Sequence, residues 1–183
     1  EKYGDLPAYI FRTEEEGKFR NITHKEFRND INALGTKLID MGLKDKRIAV
    51  ISENRYEWGV DYLAAVTGVG VVVPLDRALP GNEIENLMIR SEVEAIFYSS
   101  KYDEIMNRVK EQKTTNVKYF ISMDLEKEEN GIYSQKELIE QGRKLLEEGN
   151  TEFLNAKIDA EKMSIMLFTS GTTAMSKAVM LSH

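Results

Sequence analysis

The chain has 183 residues, of which 42% are hydrophobic and 31% charged, a balance typical of a globular domain with one core of ordinary size. Its formal net charge of −6 argues against nucleic acid as the main partner, because binding to a phosphate backbone requires a basic surface. Cysteine is absent, which excludes disulfides, thiolate catalysis and cysteine zinc sites, and two histidines are too few for a histidine-rich metal site.

The first predicted element is a short hairpin, whose two strands lie at residues 8–11 and 18–23. Thr23 and Glu26 then have the spacing of a capping box, in which each residue satisfies a backbone N–H of the other at the start of a helix. Apolar residues recur at helical spacing after this box, and Gly42 is typical of the residue that follows a helix end.

Strands and helices alternate through the rest of the chain. Short apolar runs predict strands at 47–52, 70–75, 95–99, 117–122 and 163–168. Amphipathic segments predict helices at about 54–67, 80–91, 102–111 and 134–148. The last of these helices begins with a second capping box, formed by Ser134 and Glu137. This alternation predicts βαβ units and therefore a three-layer α/β fold, with a mostly parallel sheet, helices on both of its faces and the hairpin in front.

The segment 169–177, with the sequence TSGTTAMSK, lies between two apolar runs and follows the end of a predicted strand. Gly171 allows a ligand to approach the backbone closely, and successive turn amides form concave anion sites. The remaining donors of this loop are Thr169, Ser170, Thr172, Thr173 and Lys177. Such donors suit a polyphosphate, although residue chemistry alone supports a hydrophilic turn with Lys177 in water equally well.

Other nucleotide motifs fit this segment less well. A Walker A loop requires glycine directly before its lysine and a hydroxyl residue directly after it, whereas Ser176 precedes Lys177 and Ala178 follows it. A G-x-G-x-x-G fingerprint is absent from the sequence. Asp76 follows a predicted strand, where functional residues gather in this fold class, but a capping or turn role is the preferred interpretation. No metal-binding residue is predicted.

The segment 166–183 resembles the phosphate-loop signature of the AMP-forming acyl-CoA synthetases, within the adenylate-forming superfamily. The residues that match this signature are Thr169, Ser170, Gly171, Thr172, Thr173, Lys177, Val179, Ser182 and His183. Upstream, 53–58, 68–76 and 79–97 look like the corresponding stretches of bacterial long-chain-fatty-acid–CoA ligases. Three positions depart from the family pattern: Ala174 and Ala178 replace glycines, and Ser176 replaces proline.

The resemblance implies that residues 1–183 are a partial N-terminal (AMP-binding) domain, cut just after the phosphate loop, and an incomplete N-terminal lobe of an adenylating enzyme. In this family a carboxylate attacks the α-phosphate of ATP, and the thiol of coenzyme A then displaces AMP from the acyl-adenylate. Residues 169–173 and Lys177 would bind the ATP phosphates, and Mg²⁺ would share the charge. The implied cofactors and co-substrates are thus ATP, Mg²⁺ and coenzyme A, while catalytic residues stay unassigned because the later family motifs are not in this sequence.

Further expectations follow from this interpretation. The parent protein would be a cytoplasmic long-chain-fatty-acid–CoA ligase, with peripheral membrane contact left open, and these 183 residues alone would be inactive. No transmembrane segment is predicted, because the longest uncharged run, 62–75, is shorter than the roughly 18 residues that a membrane helix needs. Surface exposed by truncation would favour self-association. The alternative is a non-catalytic nucleotide- or partner-binding module that kept the loop, an idea supported by Ala174 and Ala178.

Overall fold

A computed structural model describes residues 3–12, 17–169 and 176–183 of the chain. Its strands are β1 (Pro7–Arg12), β2 (Phe19–Thr23), β3 (Arg47–Ile51), β4 (Val71–Pro74), β5 (Ala95–Tyr98), β6 (Tyr119–Ser122), β7 (Tyr133–Ser134), β8 (Met163–Thr169) and β9 (Lys177–Ser182). Its α-helices are α1 (His24–Asp40), α2 (Tyr56–Ala64), α3 (Gly81–Ser91), α4 (Asp103–Gln112) and α5 (Gln135–Glu147). A π-helical turn, Ala65–Val69, extends α2, and a 3₁₀ turn, Ser100–Tyr102, precedes α4.

The strands form two sheets. β1 and β2 pair antiparallel, which confirms the N-terminal hairpin, and the other seven strands form one sheet in the order β7-β6-β5-β3-β4-β8-β9. All neighbours in the large sheet run parallel except β8 and β9, which form an antiparallel pair. The mostly parallel sheet predicted from the alternation is therefore confirmed, and the two-residue strand β7 is an addition that the sequence did not predict.

Two hydrophobic clusters, one on each face of the large sheet, give the fold its three layers. Because successive strand residues point to opposite faces, Ile48 and Val50 of β3 pack with α1, α2 and α5, whereas Ala49 and Ile51 pack with α3 and α4. Both sets of side chains are fully buried. This explains why the strand sequences are continuously apolar rather than alternating, as parallel strands covered on both sides are.

The start and end of α1 form as the sequence predicts. Thr23 Oγ1 accepts a hydrogen bond from the Glu26 backbone N–H at 3.2 Å, and Glu26 Oε2 accepts one from the Thr23 backbone N–H at 2.7 Å. At the other end Gly42 has φ +80°, and its N–H donates to the Ile39 carbonyl at 2.9 Å. The capping box and the glycine at the helix end could both be predicted from the sequence, because each depends only on residues within one turn of each other.

Two local predictions need correction. Ser134 Oγ accepts from the Glu137 N–H at 3.2 Å, but the Glu137 carboxylate accepts from the backbone N–H of Glu128 at 2.9 Å, so half of the second capping box is wrong. The preceding loop lies within reach and competes for that carboxylate. The predicted helix at 54–67 is also different: its α-helical part ends at Ala64, and the chain continues as a π-helical turn to Val69.

Helices α1 and α5 pack close together where a glycine of α5 crosses α1. A Cβ atom on Gly142 would overlap the backbone carbonyl oxygen of Ala33 in α1. The two helices thus meet backbone to backbone at this point. Among the described helices, none is long and apolar enough to cross a lipid bilayer.

Candidate functional site

The two described ends of the predicted phosphate loop face each other. Thr169 is the last residue of β8 and Lys177 the first of β9, and they are partners in the antiparallel register. The other four predicted phosphate-binding residues, Ser170, Gly171, Thr172 and Thr173, lie outside the described residues. The described structure therefore brings together one hydroxyl and one ammonium group at the base of a hairpin loop.

This loop base lies at the edge of the sheet where the parallel strands end. Strand β8 runs parallel to β4, with Val72 opposite Ile165, so both strands end toward the same edge. The carboxyl edge of a parallel sheet is where α/β proteins bind ligands. Asp76 follows β4 at this edge, and its Oδ1 accepts a hydrogen bond from the Ala78 N–H at 2.9 Å, which confirms the turn role preferred for it.

The side chains of Thr169 and Lys177 are both exposed. Within the described part of the chain, Lys177 makes no salt bridge and the Thr169 hydroxyl makes no hydrogen bond. Both groups can therefore meet an anion without first breaking a hydrogen bond or salt bridge to the residues that the structure describes. A cation and a hydroxyl donor at the mouth of a glycine-containing loop match the chemistry of phosphate oxygens.

The stem of the loop is tied to helix α3 by Arg90. Its Nη2 donates to the backbone carbonyl oxygen of Ser176 at 2.7 Å. Its guanidinium carbon lies 5.4 Å from the centroid of the Phe168 ring. Sequence analysis did not single out Arg90, because nothing local in the sequence indicates that α3 ends beside the β8–β9 stem.

A second polar group of residues at the same edge was also missed. Ser99, after β5, donates through Oγ to Glu53 Oε2 at 2.8 Å, and Arg55 forms a 2.7 Å ion pair with Asp124, after β6. Burial opposes ionisation of Glu53, but hydrogen bonds from its own backbone and from Ser99, with Lys101 and Arg55 close by, hold the pKa of that carboxyl below its usual value. The sequence did contain one indication of this group, since its polar residues come at or just after the ends of predicted strands.

The edge network joins the ends of three strands. Burial acts against ionisation of Asp124 as well, yet the Ser100 N–H, at 2.7 Å, and the Arg55 side chain lower the pKa of this carboxyl. Arg55 also donates through Nε to Glu57 at 2.7 Å. Because these charged groups are paired with one another, the network holds the strand ends together at the carboxyl edge and leaves little unpaired charge for a ligand.

A third ionisable group lies inside the core. Asp61 of α2 is fully buried; Gln135 Nε2 donates to its Oδ1 at 2.5 Å, and its Oδ2 has no hydrogen-bond partner in the described structure. Burial raises the pKa of this carboxyl well above its usual value. Asp61 belongs to the contact between α2 and α5, on the sheet face opposite α3, so it is not part of the loop site.

The described side chains determine whether this site could bind a metal ion directly. Among the described residues, no group of three or more histidine, aspartate or glutamate side chains is placed to bind a metal ion. Mg²⁺ prefers carboxylate, phosphate and water oxygens, and the described loop base offers no carboxylate. The described loop base therefore suits phosphate oxygens better than a directly bound Mg²⁺.

Comparison with known proteins identifies the family. The chain matches the AMP-binding enzyme family over residues 1–183. It is 28% identical over 176 residues to fatty acyl-CoA synthetase A of Dictyostelium discoideum, a match that covers 92% of this chain and 26% of that protein. It is 27% identical over 188 residues to human long-chain-fatty-acid–CoA ligase 6, covering 98% of this chain and 27% of the human protein.

Solved structures confirm the fold. The crystal structure of a long-chain-fatty-acid–CoA ligase from Archaeoglobus fulgidus matches with a TM-score of 0.78 at 21% identity, over 99% of this chain and 32% of that one. The adenylation domain of a carboxylate reductase from Mycobacterium chelonae also matches with a TM-score of 0.78, at 19% identity and with the same coverage. The chain spans about a quarter to a third of the length of these proteins. With its loop motif, its mostly parallel sheet and this match over its whole length, the chain belongs to the AMP-binding enzyme family.

Proposed function

We propose that this chain is the N-terminal part of a long-chain-fatty-acid–CoA ligase and that its segment 169–177 binds the β- and γ-phosphates of ATP. The observation that supports this proposal best is the pairing of Thr169 with Lys177 at the carboxyl edge of the sheet. The fatty-acid substrate class rests on relatives such as long-chain-fatty-acid–CoA ligase 6, at 27% identity. The acid would be activated as acyl-adenylate and transferred to coenzyme A.

The contribution of this segment is electrostatic. Negative charge builds up on pyrophosphate as it leaves the α-phosphorus, and preset donors stabilise that charge without reorganising. Lys177 supplies a full positive charge that no described carboxylate neutralises, and Thr169 supplies a hydroxyl donor. Mg²⁺, when bound to the ATP phosphates, would supply further charge neutralisation. In the proposal, Ser170, Gly171, Thr172 and Thr173 complete the set of donors.

We propose further that residues 1–183 form only part of the AMP-binding domain. The groups that bind adenine, ribose, the acyl chain and coenzyme A would then belong to residues after this segment, so the 183 residues alone would not form acyl-CoA. The complete ligase would act in the cytoplasm, with peripheral membrane contact when its substrate comes from a bilayer. A protein that ended at His183 would instead be a nucleotide- or partner-binding module.

The proposed function is tested with the product of the complete reading frame. Acyl-CoA formation from ATP, coenzyme A and a long-chain fatty acid is measured for the wild type and for Lys177→Ala. Loss of one preset donor lowers kcat by about 10²–10³-fold in well-studied cases, and we expect a loss of that order. Lys162→Ala is the matched control, because Lys162 is also exposed and lies just before the opposite end of β8.

Each result has a clear meaning. Acyl-CoA formation that depends on Lys177 and not on Lys162 supports both the ligase and the loop assignment. Equal activity of Lys177→Ala and wild type would show that segment 169–177 does not act through Lys177, and the phosphate-binding assignment would be wrong. A reading frame without the later family motifs, together with ATP binding and no acyl-CoA, would favour the binding module. Formation of acyl-CoA by residues 1–183 alone would overturn the proposal that they are an incomplete domain.

We also propose that the 183-residue chain associates with itself through β9. Among the strands that the structure describes, β9 is at one end of the large sheet, with one free backbone edge. Its side chains are exposed, including Val179, Leu181 and Met180, the last of which is 68% exposed. An apolar edge strand pairs readily with another chain.

A further inference from the structure

We propose that Arg90 is a positioning residue for the phosphate loop: it fixes the base of the loop by holding both arms of the β8–β9 stem. One guanidinium group contacts the two residues that precede the predicted phosphate donors. Phe168, whose ring centroid lies 5.4 Å from the guanidinium carbon, precedes Thr169. Ser176, whose carbonyl oxygen accepts from Nη2 at 2.7 Å, precedes Lys177. The part of this inference that concerns ATP rests on the function proposed above.

The stem needs an anchor of this kind because the sheet holds it weakly. The pairing of β4 with β8 is found at Val72 and Ile165, four residues before Thr169. Within the described structure, β9 pairs with β8 alone. The base of the loop therefore extends beyond the pairing that joins β8 to β4, although β8 and β9 remain paired with each other there, and we infer that contacts from elsewhere set its angle to the sheet.

Helix α3 is a rigid support for that contact. Ile84, Leu87 and Met88 on its inner face are buried in the hydrophobic cluster beneath the sheet. Arg90 lies in the last turn of this helix and extends from the same rigid body to a chain segment 86 residues later. A site residue is held most accurately by a group whose own backbone belongs to a packed helix or strand.

The chemistry of arginine suits both contacts at once. Its guanidinium group is planar and stays charged, so its face can lie over an aromatic ring while an edge N–H donates to a carbonyl. A lysine at this position could donate to the Ser176 carbonyl but could not stack on Phe168 in the same way. Lysine should therefore restore part of the effect, whereas alanine should restore none.

The first experiment measures how readily the stem of the loop opens in the 183-residue chain without any nucleotide. Backbone amide exchange is followed by NMR in the wild type, Arg90→Ala, Arg90→Lys and Arg108→Ala. The last is the matched control, because Arg108 is also exposed and forms a 2.9 Å ion pair with Glu85 of α3, while it has no hydrogen bond or ion pair with the described residues of the stem. We expect Arg90→Ala to speed exchange at residues 167–169 and 177–179 by about tenfold, from the loss of a charged hydrogen bond and a cation–π contact.

The pattern of exchange separates positioning from general stability. Arg90→Lys should give an intermediate rate at the stem, and Arg108→Ala should leave the stem at the wild-type rate. Exchange in the core strands β3 and β5 should not change in any variant. Stem rates in Arg90→Ala equal to those in Arg108→Ala would overturn the inference, as would an equal acceleration across all strands.

The second experiment measures the KM for ATP with the product of the complete reading frame. Arg90→Ala should raise that KM by about tenfold or more, Arg90→Lys by less, and Arg108→Ala not at all. A wild type that neither binds nor uses ATP would defeat the proposed function, while the exchange result would still decide whether Arg90 positions the stem. An unchanged KM in an active Arg90→Ala enzyme would overturn the role of Arg90 in ATP binding.

Discussion

Replacing Asp61 with asparagine is expected to stabilise the chain near neutral pH and to remove part of the pH dependence of its stability. The carboxyl group is fully buried, and its Oδ1 accepts one 2.5 Å hydrogen bond from Gln135. Burial raises the pKa of Asp61, and the charge of Glu57 raises it further, against opposing effects of the Gln135 hydrogen bond and of Arg55. Asparagine has nearly the same shape, can accept the same bond from Gln135, and carries no charge.

The sign of the effect follows from the direction of that shift. Because the pKa of Asp61 is higher in the folded than in the unfolded chain, the folded state binds more protons at pH values between the two. The stabilising contribution of the protonated carboxyl is therefore complete below the unfolded pKa of about 3.9 and is lost as pH rises through the folded value. One proton corresponds to a slope of at most about 1.4 kcal/mol per pH unit in that window.

The assay is urea unfolding of the wild type and of Asp61→Asn at several pH values between 4 and 8. Other carboxyls with lowered pKa values, such as Glu94 and Asp124, add slopes of the opposite sign, but they are common to both proteins and cancel in the difference. Asp45→Asn is the control, since Asp45 is exposed and its φ of 60° suits asparagine.

The difference in free energy of unfolding between Asp61→Asn and the wild type should grow with pH and then level off above the folded pKa. The Asp45→Asn control shows how much of any difference comes from removing one exposed carboxylate. A constant difference for Asp61→Asn, or a wild type that gains stability over the variant as pH rises, would refute the reasoning. It would mean that Asp61 is ionised and compensated in the folded state.

Two further predictions concern packing and association. Gly142→Ala should lower the free energy of unfolding, because overpacking against the Ala33 carbonyl costs about 1–3 kcal/mol, against the roughly 1 kcal/mol that alanine gains in helix propensity. Urea unfolding measures the change, with Glu140→Ala as the exposed control on the same helix. Undiminished stability of Gly142→Ala would contradict the prediction. In sedimentation analysis the 183-residue chain should form dimers or larger species at high concentration, and Met180→Lys should reduce them; a clean monomer at every concentration would count against association through β9.

Several features of the chain could be predicted because they depend on neighbouring residues. The capping box of Thr23 and Glu26 and the helix end at Gly42 involve groups within one helical turn. The alternation of strands and helices predicted a three-layer α/β fold with a mostly parallel sheet, which the structure confirms. The loop motif, through its glycine, hydroxyls and lysine, indicated the family to which the match over residues 1–183 assigns the chain.

Other features could be decided only by the tertiary structure, because they depend on which distant segments meet. The order of strands, with β8 beside β4, brings Thr169 to the edge where Asp76 lies. Burial in the core raises the pKa of Asp61, against the hydrogen bond from Gln135 of α5, and the sequence around Asp61 carries no sign of it. The contact of Arg90 with Ser176 spans 86 residues, so periodicity and local spacing cannot predict it. Local sequence determines which elements form and what chemistry a loop carries; long-range packing determines which side chains are buried, paired or left free to act.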